Sequence, residues 1–292
     1  MSERKVGGCP QGYHGERGDT ESGERLTYNS YLRIPELLDL QTYESKPPAH
    51  DELLFITIHQ AYELWFKQIL FELDSVVESM KADEIYEASR LLQRVLAIEK
   101  LLVSQIHILE TMTPRDFLRF RSALNPASGF QSIQFRELEF LTGIRDRSVL
   151  KHIDQTSDDR RRLERRLESA SLRTNFYELL DRQGFEVEVP PEEGDLSEAQ
   201  REKNLAGLYR LYRYPEKYFH LYTLAEALVE HDQNLLLWRF HHVRVVERLI
   251  GTKPGTGGSS GVEYLSSTLS RRAYPSLWEV RGTLSDDEIY GT

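Results

Sequence analysis

Apolar side chains recur with a period of about 3.6 residues along three long stretches, and this pattern constrains the fold more than any other feature. The stretches cover residues 51–73, 83–112 and 215–250. Alternation with a period of two, which is typical of half-buried strands, is nearly absent, and residues 185–189 give the only hint of it. The sequence therefore predicts an all-α fold.

The composition is that of an ordinary soluble globular protein. The chain has 292 residues, of which 39% are hydrophobic and 29% charged, so it can bury a substantial core. A formal net charge of −10 argues against nucleic-acid binding, because phosphate contacts need clustered Lys and Arg. The N-terminus lacks an apolar signal-peptide core, and no apolar run is long enough to span a bilayer. Cys9 is the single cysteine, which fits a reducing compartment. We expect a cytoplasmic protein without nucleic-acid or membrane partners.

The chain divides into a polar tail and one large domain. Residues 1–25 are rich in Gly, Glu, Arg and Ser, and are predicted to be disordered. Residues 26–292 are predicted to form a single helical domain. It begins with an arm, residues 26–45, interpreted as an extended aromatic segment followed by a short helix with Pro35 in its first turn. The residues leave open whether this arm docks on its own domain or on another subunit. The basic run 159–168 is interpreted as a solvated amphipathic helix.

Two histidines lie on apolar helix faces. At 100° per residue, His242 shares a stripe with Trp238 and Leu249, whereas His241 points away from it. His59 flanks the stripe of the first long helix. Taken alone, each inward histidine favours a core residue hydrogen-bonded to a neighbour, with a metal or cofactor ligand as the alternative. His107 is interpreted as structural.

Two further segments bear on a site. Thr113 and Pro114 give a helix-start signature, and the helix would place Phe117 and Arg121 on one face. The Gly-rich loop 251–261 follows a helix and lacks the Gly-Lys-Ser/Thr ending of a P-loop and the glycine spacing of a dinucleotide loop.

The remaining polar residues suit a helical heme pocket. The sequence lacks the His-Glu-x-x-His motif, the paired Glu-x-x-His motifs of di-iron bundles, and the Gly-x-Ser-x-Gly elbow. A heme pocket needs only one neutral imidazole for the iron, apolar walls, and a few polar groups that orient a small ligand.

Several stretches, in this order, resemble the tryptophan 2,3-dioxygenase family, whose members use heme and dioxygen to open the indole ring of L-tryptophan. The resemblance covers most of the chain from Leu26 onward. The matching stretches are Leu26–Leu32, His50–Trp65, Leu109–Thr113, Pro126–Ser132, Trp238–His242 and Gly255–Gly261.

The resemblance implies a heme b cofactor, with dioxygen as co-substrate. His242, rather than His241, matches the axial ligand of the heme iron. His59 matches the histidine that hydrogen-bonds the indole N–H and, with Arg121 and Thr256, is the implied catalytic set. Ser128 matches a residue near the heme edge.

The resemblance also implies how the substrate is held. Arg121 matches the clamp on the substrate carboxylate, and Thr256 matches a loop residue at the ammonium and carboxylate end. Phe55 and Phe117 match residues that pack the indole. The arm residues match a segment that enters a neighbouring subunit's pocket in a homotetramer; they are Tyr28, Tyr31 and Leu32.

Three other functions remain open. A related heme monooxygenase would insert one oxygen atom to give a 2-oxindole from tryptophan or a β-methyltryptophan. A sensor would bind heme and indole without consuming oxygen. A purely structural helical bundle would bind no heme and be colourless.

Overall fold

A computed structural model describes residues 25–194, 196–253 and 261–285 of the chain. Within these ranges the secondary structure is α-helical and 3₁₀-helical, with no strand, so the all-α prediction is confirmed. The predictions for the tail up to residue 24, and for Thr256 in the glycine loop, lie outside the described residues.

Three long helices build the core: α3 (Glu52–Lys81), α4 (Ile85–Leu109) and α10 (Phe219–Ile250). The other α-helices, in chain order, are α1 (Tyr28–Leu32), α2 (Ile34–Leu38), α5 (Pro114–Leu118), α6 (Ile133–Thr142), α7 (Asp158–Glu168), α8 (Leu172–Arg182), α9 (Glu198–Arg213), α11 (Val262–Ser267) and α12 (Pro275–Glu279). Short 3₁₀ helices cover Arg121–Leu124, Gly129–Gln131, Arg147–His152, Thr268–Ser270 and Val280–Thr283.

Helix α4 lies between α3 and α10 and contacts both along much of its length. The reason is its apolar stripe, whose residues Leu92 and Val95 are fully buried. Tyr62 of α3 donates a hydrogen bond to the carbonyl oxygen of Leu102 at 3.0 Å, which fixes the two helices against each other. Truncating a core leucine such as Leu92 to alanine would cost about 2–5 kcal/mol of stability.

A buried polar network closes one end of this core. Nδ1 of His231 donates a hydrogen bond to Oε1 of Glu99 at 2.6 Å, which joins α10 to α4. The carboxylate of Asp232 accepts bonds from the Ala273 amide at 3.0 Å and from Nε1 of Trp278 at 2.8 Å. We call the surroundings of these residues the closed end, because the three polar side chains are buried and hydrogen-bonded to other protein groups.

The arm differs from the prediction. We expected an extended aromatic segment, but Tyr28–Leu32 forms a short α-helix. The cause is a capping box, in which the Thr27 side chain accepts from the Ser30 amide and the Ser30 side chain accepts from the Thr27 amide. Proline does stand in the first turn of α2, as predicted.

The segment after α4 also differs from the prediction in one respect. Thr113 caps α5 by accepting a hydrogen bond from the Asp116 amide, as the helix-start signature predicts. The helix ends at Leu118, however, so Arg121 begins a separate 3₁₀ helix instead of sharing a helical face with Phe117. A five-residue helix has few hydrogen bonds to sustain it, and Phe120, just beyond its end, is fully buried.

Helix α7 is more than the solvated helix that the sequence predicts. Its apolar side packs into a small second core through Leu163 and Leu167. Arg162 donates to the buried carboxylate of Glu137 at 2.6 Å, and Arg166 donates to Asp74 at 2.7 Å. None of the helices in the described part of the chain combines the length and the apolar character that crossing a bilayer requires.

Candidate functional site

A cavity opens between α3, α10 and the segments that follow α4. Its volume is about 1550 Å³ when its opening to solvent is included. Aromatic and aliphatic side chains form most of the wall; they include Phe66, Ile106, Leu109, Phe135, Val245 and Leu249. We call this region the open end of the core, in contrast to the closed end around His231.

The cavity brings together six of the residues that the sequence singled out. They are Phe55, His59, Phe117, Arg121, Ser128 and His242. The arm residues lie outside this cavity: Tyr28 is 75% exposed, Tyr31 59% and Leu32 42%. The cavity therefore brings together residues that are as far apart in the sequence as Phe55 and His242.

His242 presents a neutral ring to the cavity. It stacks on Trp238, one turn earlier in α10, with ring centroids 5.1 Å apart and planes at 17°. Burial, assisted by the neighbouring His59 imidazole and by the charge of Arg136, lowers the pKa of His242 to about 4. No group in the described part of the chain hydrogen-bonds to the His242 ring. A neutral ring with an uncommitted lone pair can serve as a metal ligand.

His241 lies outside the cavity, consistent with the helical wheel. Its ring packs edge-on against His107 of α4, with centroids 4.8 Å apart and planes at 78°. The two adjacent histidines of α10 therefore have different neighbours and different access to the cavity.

His59 has a defined tautomer. Its Nδ1 lies 2.7 Å from the carbonyl oxygen of Phe55, and since a carbonyl can only accept, Nδ1 carries the proton. Burial lowers the pKa of His59, against the opposing effects of the Phe55 hydrogen bond and the charge of Glu63. The ring is therefore neutral at pH 7, and its Nε2 can accept a hydrogen bond.

An aromatic wall lies beside His59. The ring centroids of Phe55 and Phe117 are 5.8 Å apart, and Phe120 supports both from behind at 5.6 and 5.3 Å. The Phe55 ring also lies 4.0 Å from the His59 ring. This wall suits a flat apolar ligand with one polar N–H directed at the imidazole.

Sequence reasoning missed an ion cluster in the cavity wall. Glu139 accepts hydrogen bonds from Arg136 at 2.6 Å and from Arg239 at 2.8 Å, and all three side chains are buried. Two guanidinium groups against one carboxylate leave this cluster with a net positive charge. The signal was available, because Arg239 interrupts the apolar run around Trp238, and a buried charge requires a partner.

Comparison with known proteins gives a consistent match. The chain fits the family model described as tryptophan 2,3-dioxygenase over residues 13–188 and 152–284. It is 47% identical to the tryptophan 2,3-dioxygenase of Nocardioides sp. over 270 residues, which cover 90% of this chain and 97% of that protein. It is 42% identical to the tryptophan 2,3-dioxygenase of Herpetosiphon aurantiacus over 261 residues, or 89% of this chain and 99% of that protein. With the enzyme of that name from Anaeromyxobacter dehalogenans the identity is 44% over 260 residues, or 89% and 96% of the two chains.

Proposed function

The chain belongs to the tryptophan 2,3-dioxygenase family, and we propose that it opens the indole ring of L-tryptophan with dioxygen to give N-formyl-L-kynurenine. The observation that carries this proposal is the cavity itself. It combines an uncommitted histidine, a second histidine of fixed tautomer and an aromatic wall within one largely apolar space.

The residues fit a heme. His242 has the two properties that a ligand of heme iron needs, a neutral ring and access to a large apolar cavity. Heme, when bound, supplies the redox-active iron that activates dioxygen for addition to the indole C2–C3 bond. His242 would hold the iron, and Ser128, which also lines the cavity, would lie beside the bound group.

His59 orients the indole. Its Nε2 accepts the hydrogen bond of the indole N–H, because Nδ1 is already committed as a donor to Phe55. Phe55 and Phe117 pack against the indole ring and exclude water from it. These residues fix where the reacting bond lies, and such positioning is the main contribution of a protein to this kind of chemistry.

Arg121 recognises the carboxylate of the amino acid. It lies in the cavity lining, and its planar guanidinium can donate two parallel hydrogen bonds to one carboxylate. Thr256 completes the recognition of the ammonium and carboxylate end. Its role rests on family resemblance, because it lies outside the described residues.

The N-terminal arm docks on a neighbouring subunit of a homotetramer. Neither α1 nor α2 buries a residue against its own chain, although the arm carries Tyr28, Tyr31 and Leu32. Exposed large apolar side chains in one short segment are typical of an interface. Light scattering should give the mass of four chains, and replacing Tyr28 and Tyr31 by serine should reduce it. A monomeric wild-type protein would contradict the tetramer.

A single series of measurements tests the function. The purified protein should show a heme absorption spectrum, and anaerobic reduction followed by tryptophan and ¹⁸O₂ should give a product containing two labelled oxygen atoms. One labelled atom would identify a monooxygenase that forms a 2-oxindole. Heme and tryptophan binding without oxygen consumption would identify a sensor, and a colourless protein would contradict any heme function.

A further inference from the structure

A second cluster of metal-ligating side chains lies outside the cavity, where the end of α4 meets α10. It consists of His107, Glu110 and His241, whose nearest ligand atoms all lie within 4.8 Å of one another. We propose that these three residues bind a divalent transition-metal ion of the Zn²⁺ class. The proposed function uses none of them, and none lines the cavity.

The distances are close to those of a formed site. Nδ1 of His107 lies 3.3 Å from Oε2 of Glu110. In a tetrahedral zinc site with bonds of about 2.1 Å, ligand atoms are about 3.4 Å apart. The α4 pair therefore has the required separation already, and the ligand atom of His241 lies within 4.8 Å of both.

The secondary structure explains the pairing. His107 and Glu110 are three positions apart at the C-terminal end of α4, so their side chains emerge on the same side. His241 approaches from α10, with its ring at 78° to that of His107. Two rings in such an arrangement can direct one nitrogen each at a common point without overlapping.

The exposure of the side chains allows an ion to enter. The His107 side chain is 48% exposed and that of Glu110 is 30% exposed, so water reaches the site and the rotamers can adjust. The site is nevertheless fixed by two long helices that pack along each other. It is therefore more preorganised than a chance group of surface histidines.

The donor set selects the kind of ion. Two imidazoles and one carboxylate are typical ligands of Zn²⁺ and its neighbours, whereas Ca²⁺ and Mg²⁺ require sites built of oxygen ligands. One carboxylate offsets part of the charge of the ion, and a fourth position remains for water. The same set of three ligands is used by many zinc proteins.

A bound ion would link the two sides of the cavity. The end of α4 leads directly into α5, which carries Phe117, while His241 precedes the proposed heme ligand His242. An ion that binds only the folded chain raises its stability in proportion to the logarithm of the ion concentration. We therefore expect Zn²⁺ to raise the melting temperature of the heme-loaded protein.

Calorimetric titration of the full, heme-loaded chain with ZnCl₂ tests the site. Wild type should bind one ion, and His107→Ala and His241→Ala should each weaken that affinity more than about tenfold. His220→Ala is the matched control, since His220 is an exposed histidine of the same helix outside the cluster. Cys9→Ser is a second control, because a thiol would bind Zn²⁺ independently.

X-ray absorption at the zinc edge of the wild-type complex removes any dependence on how the variants fold. The expected spectrum contains the scattering of two imidazoles together with lighter oxygen ligands. Glu110→Gln, which keeps the size of the side chain, should weaken binding and abolish the rise in melting temperature. Absence of Zn²⁺ binding, an unchanged affinity in His241→Ala, or a spectrum without imidazole scattering would each overturn the proposal.

Discussion

Two of the histidines of helix α10, His231 and His242, lie about three helical turns apart and have different surroundings. His231, at the closed end, is fully buried, and Glu99 accepts its Nδ1 proton. His242, at the open end, faces a cavity and has no such partner in the described part of the chain. The contrast indicates that the polar groups of the closed end stabilise the fold, while those of the open end are kept for a ligand.

An aromatic cluster separates the two ends. Trp238 lies between His231 and His242 in sequence and contacts Phe66 at 6.2 Å and Phe135 at 4.8 Å between ring centroids. These rings line the cavity and also lie against a small gap beside Glu99 of the closed end, so they stand between the two ends. Substitutions on the two sides of this cluster should therefore have separable effects, on stability at the closed end and on ligand binding at the open end.

The largest expected effect is the loss of heme from His242→Ala. The variant should purify with less than about one tenth of the wild-type heme content, because the iron would lose the side chain that we propose holds it. His241→Ala is the neighbouring control and should retain heme. The measurement is the ratio of heme absorbance to protein absorbance. Full heme content in His242→Ala would contradict the assignment of ligand binding to the open end of α10.

Helical periodicity alone could not have shown which of His231 and His242 faces a cavity. His231 and His242 are eleven positions apart, which places them within about 20° of each other on a helical wheel. What separates them is Glu99, whose hydrogen bond to His231 spans 132 positions of the chain. Family resemblance pointed to His242 where the helical pattern alone could not.

Contacts between residues far apart in the sequence also limited how much of the fold could be predicted. The long helices were predictable because their apolar stripes are local patterns, as in Ile85–Leu109. The end of α5 and the start of a new turn at Arg121 were not, since the burial of Phe120 depends on distant partners. The ion cluster around Glu139 escaped prediction for a similar reason, because its bond to Arg239 spans 100 positions.

Arg121→Ala should give the next largest effect. Losing a charge-assisted hydrogen bond to a buried carboxylate costs about 1.5–3 kcal/mol, which corresponds to a rise in KM of roughly 12- to 150-fold. Heme content and melting temperature should stay near wild type. Arg119→Ala, in the same segment and exposed, is the control for steady-state kinetics. A KM within twofold of wild type would show that this arginine does not bind substrate.

Glu99→Gln tests the closed end. The change removes the charge from the acceptor of the His231 hydrogen bond, and it should lower the free energy of unfolding by about 1–2 kcal/mol. The heme spectrum and KM should not change. Glu78→Gln on the surface of α3 is the control, because exposed ion pairs contribute little. Denaturant unfolding of the three proteins provides the measurement, and a change in KM without a change in stability would contradict the division between the two ends.

The smallest effect is expected for His59→Ala, and its size distinguishes two roles. If His59 only accepts the indole hydrogen bond, its loss costs about 0.5–1.5 kcal/mol, or roughly a 2- to 12-fold fall in kcat/KM. If it removed a proton as a general base, the fall would be about 10²- to 10⁴-fold. We expect the smaller value, because indole N–H is a very weak acid and burial lowers the pKa of His59, which makes the imidazole a weaker base. His59→Gln, which retains an acceptor, should recover part of the loss. Abolished turnover with unchanged tryptophan affinity would instead assign His59 to proton transfer.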